Sequence, residues 1–455
     1  MKSSARGRSS RKLAALLLSV IVSGGLAVRQ SAADETVNLT VSKIKDLDLR
    51  IYGFVEQDVI HDSTIGQTEE QDNAVISKPT GFSGMHGRTI MTVKNSRLGF
   101  DLKVPKTDSG VATEAVLEMD FEGNNAPNTQ PGSAPGSQSE RDFFNNGAMR
   151  MRHAWVNVTT DHLGLRMGQY WSLLGWQPYY FPSEPIIQPA VGQLYRRFPQ
   201  IRLTNQCNLG ESWMYEGAVD AAKPAQMASG DPEYHAGLRL SSTKIKGATQ
   251  PGSGTAMVGL SAAVSGAYIP LTTAIDRLNG SAAAFDVFVP IIPSSDGKDK
   301  SNNLSLTGEC VTGSGIGGLE LAGLTAGVAG ITAASPGGQA IDSGLAGINT
   351  SGHPETIRFR STRVDVHYIL PGGTWALGAG YRSIRALNLD SFNTSAAANL
   401  ALVPRMQYAY ASLFWDSLSW LRFGGEYSRT IDTYNDPANT EVHNNRVQFT
   451  SYFVF

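Results

Sequence analysis

"RVQFTSYFVF", Arg446 to Phe455, decides how this sequence is read. Val447, Phe449, Ser451, Phe453 and Phe455 share one face of a period-two segment. Arg446, Gln448, Thr450, Tyr452 and Val454 share the other. Soluble chains usually end in polar, frayed residues. A strand stays ordered to its last ring when it has a partner on each side, and a closed barrel supplies both because it has no edge. The stretch is expected to close such a barrel, with Phe449, Phe453 and Phe455 on the more apolar face and turned toward lipid.

The same alternation recurs upstream. In "SRLGFDLKV", Leu98, Phe100, Leu102 and Val104 oppose Arg97, Asp101 and Lys103. "TEAVLEMDFEG" sets Ala115, Leu117, Met119 and Phe121 against Glu114, Glu118, Asp120 and Glu122. "AMRMRHAWVNV" sets Met149, Met151 and Trp155 against Arg150 and Arg152, and "LGLRMGQYW" sets Leu163, Leu165 and Met167 against Arg166 and Tyr170. A soluble sandwich and a membrane barrel share this pattern; they differ in which face meets water.

Connector lengths separate the two. "PKTDSG", "TTDH", "PGGT" and "WDSLSW" read as tight turns. Between them lie long polar stretches, roughly residues 61–94, 123–147, 172–198 and 386–403. Such loops are unusual in compact soluble domains, whereas short periplasmic turns facing long outer loops belong to outer-membrane barrels. Aromatics cluster at Trp171, Trp176, Tyr179, Tyr180 and Phe181, and at Tyr408, Tyr410, Trp415 and Trp420, as interfacial girdles would. The fold class expected is all-β, a transmembrane antiparallel barrel of about sixteen strands. Fourteen or eighteen remain open, because residues 221–318 are the least clear.

The start of the chain reads as a signal peptide over residues 1–33. Lys2, Arg6, Arg8, Arg11 and Lys12 precede the apolar run Leu13–Val28, and "SAA" offers a cleavage site. A single barrel domain would occupy 34–455. Removing residues 1–33 takes away six basic residues and no acid, moving the formal net charge from −2 to −8. That balance disfavours a nucleic-acid partner. Cys207 and Cys310 are the only cysteines. An oxidising compartment allows one disulfide between them, and two unpaired thiols are equally compatible with their spacing.

Enzyme motifs are absent: there is no H-E-x-x-H, G-x-S-x-G or phosphate-binding loop. "GSGIGG", Gly313–Gly318, fits G-x-G-x-x-G but lacks the following helix of a dinucleotide site and reads as an outer loop. No catalytic residue, metal or cofactor is expected.

The charged face carries the functional expectation instead. Arg97, Arg150, Arg152, Arg166, Arg197 and Arg202 are expected to line a wet lumen, with Glu114, Glu118 and Asp120 between them. Arginines on one wall and carboxylates on another would set a transverse field and favour anions. Charges that simply compensate one another are the alternative. Arg358, Arg360 and Arg363 form a further basic group. The proline- and aromatic-rich stretch Trp171–Gln200 is expected to fold inward as a constriction, the alternative being a surface or trimer-contact loop.

"LRIYGFVEQDVIHD", "NSRLGFDLKV", "MRMRHAWVNV", "LRMGQYWSLL", "RRFPQIRLT" and "GGEYSRTIDTYND…NNRVQFTSYFVF", in this order, resemble successive strands of the DcaP-like outer-membrane porins. The resemblance implies a trimeric Gram-negative barrel of sixteen strands that passes small anionic solutes such as dicarboxylates. It also implies that the barrel-assembly machinery recognises the terminal phenylalanine. The best-known members carry an N-terminal coiled coil, for which Asp34–Asp48 offers no heptads. The function expected is passive diffusion of small hydrophilic solutes, with outer-membrane lipid as the surrounding partner. A plugged structural or adhesive barrel is the alternative.

Overall fold

A computed structural model describes residues 47–65, 75–123, 147–181, 184–186, 190–224, 229–248, 257–272, 277–316, 345–392 and 402–455. The expected signal peptide lies outside these residues. Among them, no helix is long and apolar enough to cross a membrane. The chain folds instead as strands: β1 (Asp48–Asp62), β2 (Arg88–Thr92), β3 (Arg97–Val104), β4 (Ala112–Gly123), β5 (Ala148–Thr159), β6 (Leu163–Trp171), β7 (Arg197–Leu209), β8 (Trp213–Ala222), β9 (Glu233–Ala248), β10 (Met257–Thr272), β11 (Arg277–Ile292), β12 (Asn303–Ser314), β13 (Ala346–Ile348), β14 (Pro354–Thr356), β15 (Arg358–Ile369), β16 (Trp375–Ala386), β17 (Arg405–Leu418), β18 (Leu421–Thr433) and β19 (Glu441–Val454).

β13 and β14 form a small hairpin in one loop. The others make one antiparallel sheet, each strand paired with the next in sequence. β2 and β3 are two segments of a single stave: both pair with β1, and the register slips by one residue between Asp58↔Thr92 and Phe54↔Arg97. The wall therefore has sixteen staves among the described residues. β1 pairs with β19 from Phe54↔Val454 to Asp62↔Arg446 and closes the barrel. Phe455 and Gly53 exchange two backbone hydrogen bonds, each 3.0 Å. Closure pairs the backbone of every stave on both sides, which lipid demands because it offers no hydrogen bonds.

Side-chain burial is inverted relative to a soluble protein. Arg363, Arg382 and Arg446 are among the largest fully buried side chains, while Val447, Phe449, Phe453 and Phe455 are each about half exposed. The outward face is the apolar one. The turn end of its belt carries Trp375 and Trp415, stacked at 5.4 Å, with Phe423, Trp420 and Phe453 alongside. The expected girdle needs correcting. Tyr408 and Tyr410 point inward and donate to Glu426 (2.8 Å) and Asp365 (3.0 Å). Even-numbered residues of β17 face the lumen, so only Trp415 and Trp420 of that group meet the outside. Trp171, Trp176, Tyr180 and Phe181 are also buried within the barrel.

Three further expectations change. A β-bulge between β4 and β5 places Arg152 and His153 consecutively on the inward face. The parity of β5 switches there, so Trp155 faces the lumen beside Arg150 and Arg152 rather than opposing them. Cys207 and Cys310 are both free. Cys207 sits near the β7–β8 turn and Cys310 lies on the outer face of β12, with four strands between theirs, so no disulfide can span the gap. Gly313 and Ser314 simply complete β12, and Gly315 follows in the left-handed region (φ +72°); Gly317 and Gly318 lie outside the described residues.

The closing seam carries a buried ion pair. Arg446 donates to both oxygens of Asp62 at 2.8 and 2.9 Å, and Asn444 adds a bond of 2.7 Å. Arg446→Met leaves the buried Asp62 carboxylate to Asn444 and to Arg88 at 3.6 Å, a loss that approaches the cost of removing one partner of a buried pair, about 3–5 kcal/mol. The folded barrel is expected to melt at lower temperature in detergent, read as loss of heat-modifiable mobility on gels. Asp62→Asn in the same chain recovers much of the loss.

Candidate functional site

The inward face of β3 to β9 builds the site. Alternation brings Arg97, Glu118, Asp120, Arg150, Arg152, Arg166, Arg202 and Arg239 to one side of the sheet, and the ends of β6 and β7 add Tyr170, Trp171, Tyr195 and Arg197. Glu118 and Asp120 do not form a separate acidic wall. Arg150 grips Asp120 with two bonds of 2.9 and 2.8 Å. Arg152 bridges Glu118 and Asp120 at 2.8 Å each. Arg97 lies 3.6 Å from Glu118, and Tyr52 donates to the other oxygen of that carboxylate at 3.0 Å. The antiparallel register sets these acids of β4 beside arginines of β5, so they neutralise each other locally. Glu114 is elsewhere, near the turn end, paired with Lys103 at 3.4 Å.

Arg202 is likewise committed. It bonds Asp220 at 3.1 Å and the carbonyl of Trp171 at 2.7 Å. Arg239, which the sequence reading did not single out, bonds Glu216 at 3.0 Å and lies 4.0 Å from the ring centre of Tyr179. Its signal was present: Glu233, His235, Arg239 and Ser241 alternate with exposed residues along β9.

Two of the arginines have no carboxylate partner among the described residues. The Arg166 guanidinium lies over Tyr170 at 3.8 Å and over Trp155 at 4.7 Å, with no hydrogen bond among the described residues. Arg197 lies 4.4 Å over Trp171 and donates to the Tyr195 hydroxyl at 3.2 Å. Both are half-buried. Stacking holds a guanidinium in place without consuming its charge or most of its donors. Arg166 and Arg197 thus keep a fixed, always-charged fork that can engage a carboxylate or phosphate.

The connection between β6 and β7 crosses the lumen. Gly175 donates its N–H to Ser265 at 2.8 Å, Trp176 its indole N–H to the Val264 carbonyl at 3.2 Å, and Tyr180 its hydroxyl to Ser261 at 3.1 Å, all on β10. Farther on, Glu184 is ion-paired with Arg382 of β16. Gln448 of β19 donates to the Pro185 carbonyl at 2.9 Å, and Ser361 of β15 to that of Gly192 at 2.8 Å. Gly192 has φ +75°, and a Cβ there would sit 2.9 Å from the Ser361 hydroxyl, so glycine permits the close approach. Ile186, Val191 and Leu194 join a core with Phe359 and Ile384 of the far wall. The segment leaves one side of the barrel and is anchored on the opposite one, an inward fold rather than a surface loop. Pro182 and Pro189 lie outside the described residues.

The remaining basic group divides. Arg363 faces inward between Glu309 (3.3 Å) and Asp365 (3.0 Å), but Arg358 and Arg360 face outward. They do not contribute to the lumen because residues of that parity on β15 point to the outside.

No protein-family profile matches the sequence, and no curated protein does. Among solved structures, the chain is similar to the outer-membrane channel DcaP of Acinetobacter baumannii, with a TM-score of 0.62 and 17% identity over 90% of this chain and 97% of that one. It also matches the in-vitro-folded trimer form of OmpT, an outer-membrane protein of Vibrio cholerae, with a TM-score of 0.48, 11% identity and coverage of 90% and 99%. An anion-selective porin from Comamonas acidovorans matches with a TM-score of 0.49, 10% identity and coverage of 90% and 100%. The DcaP match shows the same barrel fold as the resemblance read from the strand motifs. A closed barrel with an apolar outer belt is the form of a bacterial outer-membrane protein.

Replacing Glu184, Arg382, Ser361 and Gln448 together by alanine removes the polar anchors of the crossing segment at the far wall without leaving either charge of the ion pair buried alone. Single-channel conductance in planar bilayers is expected to rise about twofold or more as the segment swings from the lumen, since pore diameter governs passage. Unchanged conductance and unchanged noise would contradict the constriction.

Proposed function

We propose that the protein is an outer-membrane porin through which small hydrophilic solutes diffuse passively, with a preference for anions such as organic acids. The observation that carries the anion preference is the pairing pattern of the lumen. Arg150, Arg152 and Arg202 are neutralised by carboxylates, whereas Arg166 and Arg197 are held by aromatic rings and remain uncompensated. A solute carboxylate passing the inward-folded segment would exchange part of its water for these forks. Neither contact is strong enough to trap it, which conduction requires.

Passage is by diffusion, with no bond made or broken. A homotrimer inserted by the barrel-assembly machinery follows from the strand-motif resemblance, and the mass of the detergent-extracted particle checks the trimer. The segment anchored across the lumen also gives substance to a plugged barrel. Liposome swelling separates the two readings, because a plugged barrel admits no sugars.

Reversal potentials across a salt gradient test the anion preference. The unaltered protein is expected to favour chloride over potassium. Arg166→Gln with Arg197→Gln should lower the anion-to-cation permeability ratio by about threefold or more, because charges lining a pore set its selectivity. The compensated pair Glu216→Gln with Arg239→Gln should leave the ratio nearly unchanged. Cation preference in the unaltered protein would refute the anion assignment.

A further inference from the structure

The outward arginines do not stand alone. Arg360 on β15 is directly opposite Arg385 on β16, which is directly opposite Arg405 on β17. All three are exposed on the outer face, while their neighbours Phe359, Ile384 and Met406 are fully buried toward the lumen. Side chains paired across adjacent strands lie about 5 Å apart, and like charges placed so repel. None of the three side chains makes an ion pair or hydrogen bond among the described residues. Arg358, two residues from Arg360, is exposed on the same face.

Their height on the barrel is informative. The outward face of β16 runs Trp375, Leu377, Ala379, Tyr381, Ser383, Arg385. That of β17 runs Trp415, Leu413, Ala411, Ala409, Gln407, Arg405. On each strand a tryptophan at the turn end and an arginine at the loop end bracket an uncharged stretch. Ten residues of tilted strand climb about 25 Å along the membrane normal, the height of a barrel's apolar band. The arginines therefore lie where the hydrocarbon of the loop-side leaflet gives way to headgroups.

We propose that Arg360, Arg385 and Arg405 form a binding site for phosphate groups on the lipid headgroups of the leaflet facing the long loops, a phosphorylated glycolipid in an outer membrane. A phosphate has three acceptor oxygens and can take forks from adjacent arginines at once, which turns their mutual repulsion into shared attraction. A strand wall backed by buried Phe359, Ile384 and Met406 holds the three Cα positions fixed before the lipid arrives. This site depends only on the barrel standing in a membrane, and holds whether or not the lumen conducts.

The test uses the purified barrel in detergent, with native mass spectrometry counting bound lipid. Bisphosphorylated lipid A is expected to bind at least about tenfold more tightly than the same lipid stripped of phosphate, and Arg360→Gln, Arg385→Gln, Arg405→Gln together should abolish that difference. Arg385→Gln alone, a single exposed position, should weaken binding severalfold, which keeps the test decisive if the triple variant fails to assemble. Equal binding of both lipids, full binding by the variants, or equal displacement by inorganic phosphate at matched phosphate concentration would overturn the assignment. Loss of the oligomer, with lipid binding intact, would overturn it in favour of a contact between copies of this chain.

Discussion

Everything in this molecule follows from the pairing of β1 with β19. A backbone in hydrocarbon has no water to bond, so every stave must find a partner on each side. The sheet meets that demand only by returning to its own start, and the bonds between Gly53 and Phe455 complete the circuit. Once closed, the sheet has an inside and an outside with opposite solvents. The period-two pleat then sorts side chains without further instruction: rings and aliphatics outward, arginines and carboxylates inward. The inversion of burial, with Arg363, Arg382 and Arg446 more enclosed than Phe449 or Phe453, is that sorting seen residue by residue.

Within the lumen, charge alone does not mark a residue as available to a solute. Antiparallel register decides it. Arg150 and Arg152 face the acids of β4, and Arg202 faces Asp220, so their charge is used in holding the wall together. Arg166 and Arg197 instead face rings, which steady a guanidinium while leaving its charge to be answered from solution. The difference between arginines paired into the wall and arginines left uncompensated is thus set by one choice at each neighbouring position, carboxylate or aromatic.

The strand pattern, the closing role of Arg446–Phe455 and the inward course of the segment after Trp171 were legible in the sequence, because alternation, connector length and composition are local. The site was legible only in outline. A bulge costs one residue and leaves no mark in the alternation of "AMRMRHAWVNV", so the face of Trp155 was misread. Glu118 and Asp120 were expected to oppose the arginines as an acidic wall, and only cross-strand register shows that they pair with them. Tyr408 and Tyr410 resemble girdle residues in composition, yet parity within β17 turns them inward to buried carboxylates. Residues 221–318 were obscure for another reason. In "SAAVSGAYIP" and "SAAAFDVF" most inward positions carry small side chains (Ser261, Ala263, Ser265, Ala267, Ala282 and Ala284), so polar–apolar contrast between the faces is weak.

The segment joining β6 to β7 has a mechanical consequence. A cylinder of tilted strands is stiff along its staves, but its cross-section can flatten into an ellipse with little change in any one hydrogen bond. A strut fixed at its root between β6 and β7 and at its tip to Arg382, Ser361 and Gln448 spans that cross-section. Flattening would then have to stretch or buckle the strut and pull Ile186, Val191 and Leu194 from the far wall. Lateral pressure from the bilayer is resisted by the same residues that narrow the passage, so the aperture keeps a constant calibre when the membrane around it does not.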